Sequence, residues 1–270
     1  MTYSLTWLPD VLLQAGLKVA LVDGWENRGF GNLDPVLGVI CHHTGTSNPK
    51  HLNFPTKRGL TKGVWQKKKD GTKFFLDGPL CQLALGLDGT YYVVAAGRAN
   101  HAGPGEWKKL KSGNANFIGI EAENDGTAAA FPWPEVQMDA YRRGVAAILR
   151  QIGRSADYCC GHREWAPKRK DDPLFDMHTF RLGVAAILDG TAPPPVLIPK
   201  AEPTAQPRPT LRRGDVHPLV RVIQQKVKVS PQADNFGPNT EAAVRNFQRT
   251  RDMVPDGIVG PKTWGELDKI

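Results

Sequence analysis

The sequence has no uninterrupted run of eighteen apolar residues, and we therefore expect no membrane-spanning helix. The N-terminal residues MTYSLTWLPDVLLQAGLKVALV lack a basic start followed by a continuous apolar stretch, so they predict no secretory signal peptide. Cysteine is scarce as well. Four cysteines among 270 residues are too few for a disulfide-stabilised scaffold, and they predict synthesis in a reducing compartment.

The excess of positive charge is modest, and it is distributed over the whole length of the chain. The chain has 35 Lys and Arg against 27 Asp and Glu, a net charge of +8, which divides into +4, +1 and +3 for residues 1–189, 190–210 and 211–270. The dense run Lys67-Lys68-Lys69 is expected to lie in a solvated loop. A basic balance suggests a polyanionic partner such as nucleic acid, an anionic membrane face or a cell wall, and because no nucleic-acid-binding motif accompanies the charge we expect no nucleic acid partner.

Proline marks the boundary between two domains. Seven of the 22 prolines fall between positions 193 and 209. Because proline fixes φ and removes a backbone donor, this composition predicts an extended, semi-rigid linker. We therefore predict a first domain at 1–189, a linker at 190–210 and a second domain at 211–270.

The first domain alternates helical and strand patterns. Apolar residues at helical spacing predict helices near 7–15, 141–152 and 180–188. Short apolar runs predict strands at 36–41, 91–96, 117–122 and 158–160. Such alternation predicts an α/β fold, with a central mixed β-sheet flanked by helices.

The last 60 residues have a different pattern. The segments PLVRVIQQKV, TEAAVRNFQRT and PKTWGELDK predict three short helices. Two of these helices follow a repeated turn, FGPNT at 236–240 and VGPKT at 259–263. Gly permits the unusual turn conformation and Pro opens a helix, so the repeat predicts a small all-α domain built by internal duplication.

Polar residues stand at the ends of three predicted strands in the first domain. His42 ends one strand, Glu121 lies near the end of another, and His162 and then Asp172 follow a third. Functional groups gather at the carboxyl ends of strands in α/β sheets. Two imidazoles and one carboxylate form a common catalytic zinc site with a fourth position for water. Spacing alone leaves a zinc site and a group of structural histidines equally open.

The motifs VICHHTGT, IGIEAEN and GHREWAPKRKDDP resemble, in this order, those of the zinc-dependent N-acetylmuramoyl-L-alanine amidases of type 2. That superfamily includes phage lysins, a bacterial peptidoglycan-recycling amidase and the animal peptidoglycan recognition proteins. The string GRANHAG resembles endolysins of phages that infect actinobacteria. The C-terminal pattern FGPNTEAAVRNFQ…DGIVGPKTW is similar to a small peptidoglycan-binding domain often fused to wall hydrolases. Both resemblances imply bacterial peptidoglycan as the partner.

The amidase resemblance assigns roles to five residues of this sequence. It implies that His42, His162 and Asp172 hold one catalytic Zn²⁺ ion. It implies that Glu121 is the general base and that Lys170 stabilises the oxyanion. Hydrolysis of an unactivated amide needs an activated water, a polarised carbonyl and a proton for the leaving nitrogen, and this set supplies all three.

Three further residues are expected to line the substrate site: His43, Asn100 and His101. For His43, a hydrogen-bonding role behind the site is an equal alternative. Cys160 is an alternative third ligand, because alternation along a strand would place its thiol on the same side as His162. The basic segment 47–79 is expected to be an insertion near the substrate groove.

These features predict a phage endolysin that hydrolyses the amide bond between N-acetylmuramic acid and L-alanine and thereby lyses the host wall. A cellular autolysin and a peptidoglycan-recycling amidase are alternatives within the same chemistry. A peptidoglycan-binding protein without activity is a third, which the three filled ligand positions disfavour. We expect a monomer without stable membrane association, made in the host cytoplasm and admitted to the wall through a holin lesion.

Overall fold

The computed structural model describes residues 3–46, 48, 52–68, 70–127, 132–196 and 208–270. The chain divides into two compact units, residues 1–198 and 199–270. Of the predicted linker, residues 197–207 lie outside the described residues, as do 47, 49–51 and 69 of the predicted insertion. Within the described ranges, no helix is long and apolar enough to cross a membrane.

The first unit is built around a six-stranded sheet. Its strands, in chain order, are β1 Lys18–Leu21, β2 Gly38–His43, β5 Leu83–Leu85, β6 Thr90–Val93, β7 Phe117–Ala122 and β8 Cys159–Gly161. Their spatial order is β1-β6-β5-β7-β2-β8, and the β5–β6 pair is antiparallel while the other pairs are parallel. The mixed sheet is therefore confirmed. A separate hairpin consists of β3 Gly63–Lys67 and β4 Lys73–Asp77.

Helices cover both faces of this sheet. They are α1 Leu8–Gln14, α2 Lys57–Lys62, α3 Gly113–Asn116, α4 Glu135–Gln151, α5 His162–Trp165 and α6 Met177–Leu188. Alternate residues of β2 point to opposite faces, so Val39 and Cys41 join the apolar core under α1, α4 and α6, whereas Ile40 packs with Trp165 on the other face. His42 shares the face of Ile40. The alternation thus directs His42 away from the main core.

The second unit is the expected three-helix domain, with α7 Leu219–Lys226, α8 Pro238–Arg249 and α9 Pro261–Leu267. Proline occupies the first turn of both α8 and α9, where its missing N–H is not needed. The small core contains Val220, Ile223, Val244 and Trp264, all nearly fully buried. The predicted helical class of this unit is confirmed.

The hairpin differs from the loop expected around Lys67. Lys67 ends β3 and lies directly opposite Lys73, the first residue of β4. Leu76 lies between two exposed neighbours, and both Val64 and Leu76 pack against a small apolar cluster, which gives the hairpin an inner face. The sequence expectation missed this period of two because three consecutive lysines dominate the segment.

Candidate active site

Parallel pairing brings the predicted site residues together at one edge of the sheet. His42 on β2 lies directly opposite Glu121 on β7. On the other side of β2, Cys41 pairs with Gly161, and His162 follows as the first residue of α5. The carboxyl ends of three neighbouring strands therefore converge, as expected for a functional site in a parallel sheet.

Three donor atoms face one another at this edge. His42 Nδ1 lies 2.9 Å from His162 Nδ1 and 3.1 Å from Asp172 Oδ2, and His162 Nδ1 lies 3.2 Å from the same carboxylate oxygen. All three residues are buried. Tetrahedral zinc bonds of about 2.0 Å would separate such donors by roughly 3.3 Å, so the triangle has the size of a zinc site.

The outer nitrogens of the imidazoles determine which atoms carry protons. His162 Nε2 lies 3.0 Å from the carbonyl of Ala102, to which it can only donate. His101 Nε2 likewise donates to the carbonyl of Phe117 at 3.1 Å, which leaves His101 Nδ1 as an acceptor for His42 Nε2 at 3.1 Å. In the neutral rings, both inward Nδ1 atoms therefore hold lone pairs.

The electrostatics of the cluster agree with this protonation pattern. Burial, and then the neighbouring His162, lowers the pKa of His42 to about 4, and burial lowers the pKa of His101 well below its ordinary value. Two lone pairs and a carboxylate oxygen about 3 Å apart repel one another unless a cation lies among them, so these residues fit a divalent metal.

Glu121 stands beside the three donors without joining them. Its Oε1 lies 3.9 Å from His42 Nδ1, and its buried Oε2 has no hydrogen-bond partner among the described residues. Burial, followed by the charge of Asp172, raises the pKa of Glu121 well above its ordinary value. A buried carboxylate with a free oxygen costs folding free energy, which is typical of functional groups.

A cavity of about 330 Å³ opens onto the cluster. Lys170 and Glu121 line it together with all three residues expected at the substrate site: His43, Asn100 and His101. Of these, His101 lies behind His42 and is 7% exposed, so its clearest contact is with the imidazole of His42. Asn100 donates its side-chain amide to the carbonyl of Asp77 at the end of the hairpin.

Cys160 does not lie among the donors. It is buried in an apolar cluster with Ile40, Phe117 and Trp165. Strand β8 ends at Gly161, so the alternation of a strand does not extend from Cys160 to His162. The group of metal-ligating atoms found in the described residues consists of His42, His162 and Asp172.

The sequence analysis missed several residues that hold the site in place. The hydroxyl of Tyr141 accepts the N–H of His42 at 2.9 Å and lies 2.9 Å from the carbonyl of Ile120, which ties α4 to the ends of β2 and β7. Glu164 accepts the N–H of Gly161 at 2.9 Å and forms a bidentate pair with Arg181. The glutamate inside the motif GHREW, two positions after a predicted ligand, was the available signal for this pair.

Gly119 in the motif IGIEAEN has a steric role in the site. A Cβ atom at this position would lie 2.5 Å from Cγ of His101. The absence of a side chain therefore lets the His101 ring pack flat on β7 and reach the carbonyl of Phe117 on the same strand.

Each of the two units matches the model of a known protein family. The profile of the N-acetylmuramoyl-L-alanine amidase family matches residues 32–174, more than half of the chain, and that of a peptidoglycan binding domain matches 218–267. An uncharacterised protein encoded in the bpoA1 3′ region of Kitasatospora aureofaciens is 42% identical over 66 residues, which are 22% of this chain and 56% of that protein. The chain thus spans little more than half the length of this curated relative.

Two solved structures that are similar to this chain are distant from it in sequence. The amidase AmiD from E. coli, in complex with the substrate anhydro-N-acetylmuramic acid-L-Ala-D-gamma-Glu-L-Lys, is 18% identical with a TM-score of 0.37, over 89% of this chain and 90% of that one. The endolysin amidase LysCS from Clostridium intestinale is 16% identical with a TM-score of 0.39, over 61% of this chain and 93% of that one.

Proposed function

This chain belongs to the N-acetylmuramoyl-L-alanine amidase family, and we propose that it hydrolyses the amide bond between N-acetylmuramic acid and L-alanine in peptidoglycan. The observation that supports this most is the cluster of His42, His162 and Asp172 at a cavity that His162 and Asp172 line together with Glu121 and Lys170. A peptide-sized opening, three metal donors, a carboxylate and a cation are the parts that amide hydrolysis needs.

We propose that His42, His162 and Asp172 hold one zinc ion. When bound, zinc polarises the scissile carbonyl and lowers the pKa of a coordinated water towards about 7. The protein residues orient this chemistry. The contacts from His42 to His101 and from His162 to the Ala102 carbonyl fix both rings with Nδ1 facing inward.

Glu121 has the properties of a general base in this site. Its free Oε2 is available to accept the proton of the attacking water and to pass that proton to the L-alanine nitrogen as the amide bond breaks. Its raised pKa favours the protonated form between these two steps. The position of Lys170 in the same cavity suits stabilisation of the negative carbonyl oxygen in the transition state.

The second unit would hold the enzyme on its insoluble substrate. The match of residues 218–267 to a peptidoglycan binding domain supports this role. Attachment through one unit converts each encounter of the other with a stem peptide into a nearly intramolecular event. Tethering of this kind is of most use on an intact wall and of least use on small soluble fragments.

The finer biological setting is also a proposal. We infer that the protein is an endolysin of a phage that infects actinobacteria, accumulates in the host cytoplasm and reaches the wall through a holin lesion. The resemblance of GRANHAG supports the source, and four free cysteines are compatible with a reducing compartment. Expression in an actinobacterial host should cause lysis only together with a holin. Lysis without one would contradict this setting.

The amidase activity is tested on purified actinobacterial peptidoglycan. We expect digestion to release free L-alanine amino groups without new reducing sugar ends. A chelator should abolish the activity and added zinc should restore it. New reducing ends without new amino groups would overturn the proposed reaction.

A further inference from the structure

The helix α2 and the hairpin β3–β4 concentrate the positive charge of the catalytic unit. Residues 57–77 contain seven Lys and Arg against two Asp, whereas the rest of 1–189 contains 16 basic and 17 acidic residues. Within the first domain, the net positive charge therefore comes from this one segment, because basic and acidic residues nearly balance in the rest of the domain. Such a local field attracts an anionic partner.

The outward face of the hairpin combines this charge with exposed aromatic rings. Trp65 and Phe75 lie directly opposite each other with ring centroids 5.5 Å apart, and they are 72% and 41% exposed. The next outward pair is Lys67 opposite Lys73. Like charges in such a cross-strand pair destabilise a hairpin, and an exposed tryptophan adds little to the core. Both features are explained if a partner covers this face.

The inward face of the same hairpin forms part of the candidate active site. Val64, Gln66 and Leu76 line the cavity that contains Lys170 and Asp172. The amide of Asn100 anchors the end of β4 through the carbonyl of Asp77. A polymer that inserts one substituent into the cavity can therefore continue past the edge of the hairpin. The outward face begins at that edge, with Trp65, Gln66, Lys67 and Lys73 around a shallow groove.

We propose that this outward face binds the glycan strand of peptidoglycan next to the stem peptide that is cleaved. Trp65 and Phe75 pack against the apolar faces of the sugar rings, and Lys67 and Lys73 lie near the carboxylates of neighbouring stem peptides. The inference rests on the proposed amidase function and extends it from a single stem to the polymer. A glycan strand fits better than a lipid surface, because the groove adjoins the cavity through a shared lining residue, Gln66, whose side chain is polar.

The test compares a soluble muramoyl tripeptide with lipid-free sacculi stripped of secondary wall polymers, and it uses the full chain. Trp65→Ala with Phe75→Ala should leave cleavage of the tripeptide unchanged and should weaken sedimentation with sacculi by roughly tenfold. Leu182→Ala is the matched control, because Leu182 is a 58% exposed apolar residue of the same unit. It should change neither measurement.

A second pair of variants tests the charge. Lys67→Gln with Lys73→Gln should make the binding to sacculi less dependent on salt concentration, because fewer charge contacts remain to be screened. The control is Lys108→Gln with Lys111→Gln, two lysines that pair with Asp157 and Glu106 elsewhere in the unit. These control changes should leave the salt dependence as it is.

Three outcomes would overturn the inference. If the Trp65 and Phe75 variant lost cleavage of the tripeptide as much as binding to sacculi, the hairpin would be only a structural wall of the cavity. Unchanged binding to sacculi would exclude a glycan contact. Loss of binding to vesicles of anionic phospholipid, with binding to sacculi intact, would instead identify a membrane surface. Sedimentation does not require cleavage, so failure of the amidase proposal would be recognised separately, by an unmodified protein that cleaves neither substrate.

Discussion

Gln248 in the second unit is nearly fully buried, and Glu121 in the first unit is largely buried at the wall of a cavity, but the hydrogen bonds of these two polar side chains differ. The amide of Gln248 donates to Asp256 Oδ1 at 2.7 Å and to the carbonyl of Ile258 at 3.0 Å, and its carbonyl accepts the N–H of Gly257 at 2.8 Å. Glu121 has one oxygen with no hydrogen-bond partner in the part of the chain that the structure describes. Complete pairing indicates a structural role, whereas an unpaired buried oxygen indicates a functional one.

The internal duplication repeats the structural arrangement. Gln224 donates to the carbonyl of Asn235 at 3.1 Å and to Thr240 Oγ1 at 2.9 Å, and it accepts the N–H of Ala233 at 2.6 Å. Gln224 thus ties the first repeated turn to α7 in the way that Gln248 ties the second to α8. The three donor atoms of His42, His162 and Asp172 do not satisfy one another in this way, since their lone pairs face one another. The second unit therefore uses its buried polar side chains to stabilise the fold, whereas the first unit leaves polar atoms available for binding and chemistry.

The largest expected effect is that of Asp172→Ala. It should remove zinc and lower amidase activity by about 10⁴-fold, because zinc supplies several kcal/mol of transition-state stabilisation. Metal content by atomic emission and the release of amino groups are the measurements. Cys160→Ala is the control for the alternative ligand and should keep a full complement of zinc. Loss of zinc only in the Cys160 variant would exchange the third ligand.

Glu121→Gln should separate activity from stability. We expect about a 10³-fold loss of activity, within the range for a lost general base, with zinc content unchanged. The metal-free variant should also be more stable at neutral pH than the metal-free parent. Glu135→Gln, which changes an exposed glutamate at the start of α4, should do neither. A destabilised Glu121→Gln variant would place Glu121 with the structural glutamines.

The sign of this stability effect follows from proton uptake. The pKa of Glu121 is raised in the folded state, so its contribution to stability is fully present below the unfolded value of about 4.5 and is lost as pH rises through the folded value. In denaturant unfolding of the metal-free protein, the free energy of unfolding should therefore decline less above pH 4.5 in the Glu121→Gln variant than in the parent. A pH dependence equal to that of the parent would contradict the raised pKa.

Gln248→Ala should act on stability alone. Loss of its hydrogen bonds should cost roughly 3 kcal/mol, because each contributes about 1 kcal/mol and the buried partners are left unpaired. Hydrogen exchange of peptides from 208–270 measures the change, and cleavage of a soluble muramoyl tripeptide should stay the same. Gln224→Ala should have a similar effect, and Gln225→Ala, at an exposed neighbouring position, almost none. A fall in tripeptide cleavage would contradict the expectation that Gln248 has no role in catalysis.

The smallest expected effect concerns His101, which is hydrogen-bonded like the structural glutamines but also contacts the proposed metal ligand His42. His101→Ala removes the acceptor for His42 Nε2–H and should weaken zinc binding by about 10–100-fold, as measured by competition with a chelator. His101→Gln, which can both accept and donate, should recover part of the affinity. His178→Ala is the exposed control. Unchanged zinc affinity in His101→Ala would leave His101 as a lining residue of the substrate site.

The mixed sheet and the three-helix unit could be predicted because their signals are local and periodic. The predicted strand 117–122 coincides with β7. Asp176, a residue type that favours N-caps, stands directly before α6 and accepts the N–H of Thr179 at 2.7 Å. The short strands β1 and β5 were missed, since three or four residues give too short a period to recognise. The hairpin was missed because its apolar alternation is interrupted by lysines.

The sequence by itself determined which residues are available for chemistry: two histidines, two carboxylates and a lysine in motifs of fixed spacing, and a second unit built on a repeated turn. These are properties of residue type and spacing, which a linear pattern contains. Only the tertiary structure decided what each residue does. The register of β2 with β7 and β8 set the donor triangle, distant carbonyls set the tautomers of the imidazoles, and burial isolated one oxygen of Glu121. Each of these depends on atoms far apart in the chain, because protonation and pKa respond to neighbours in space.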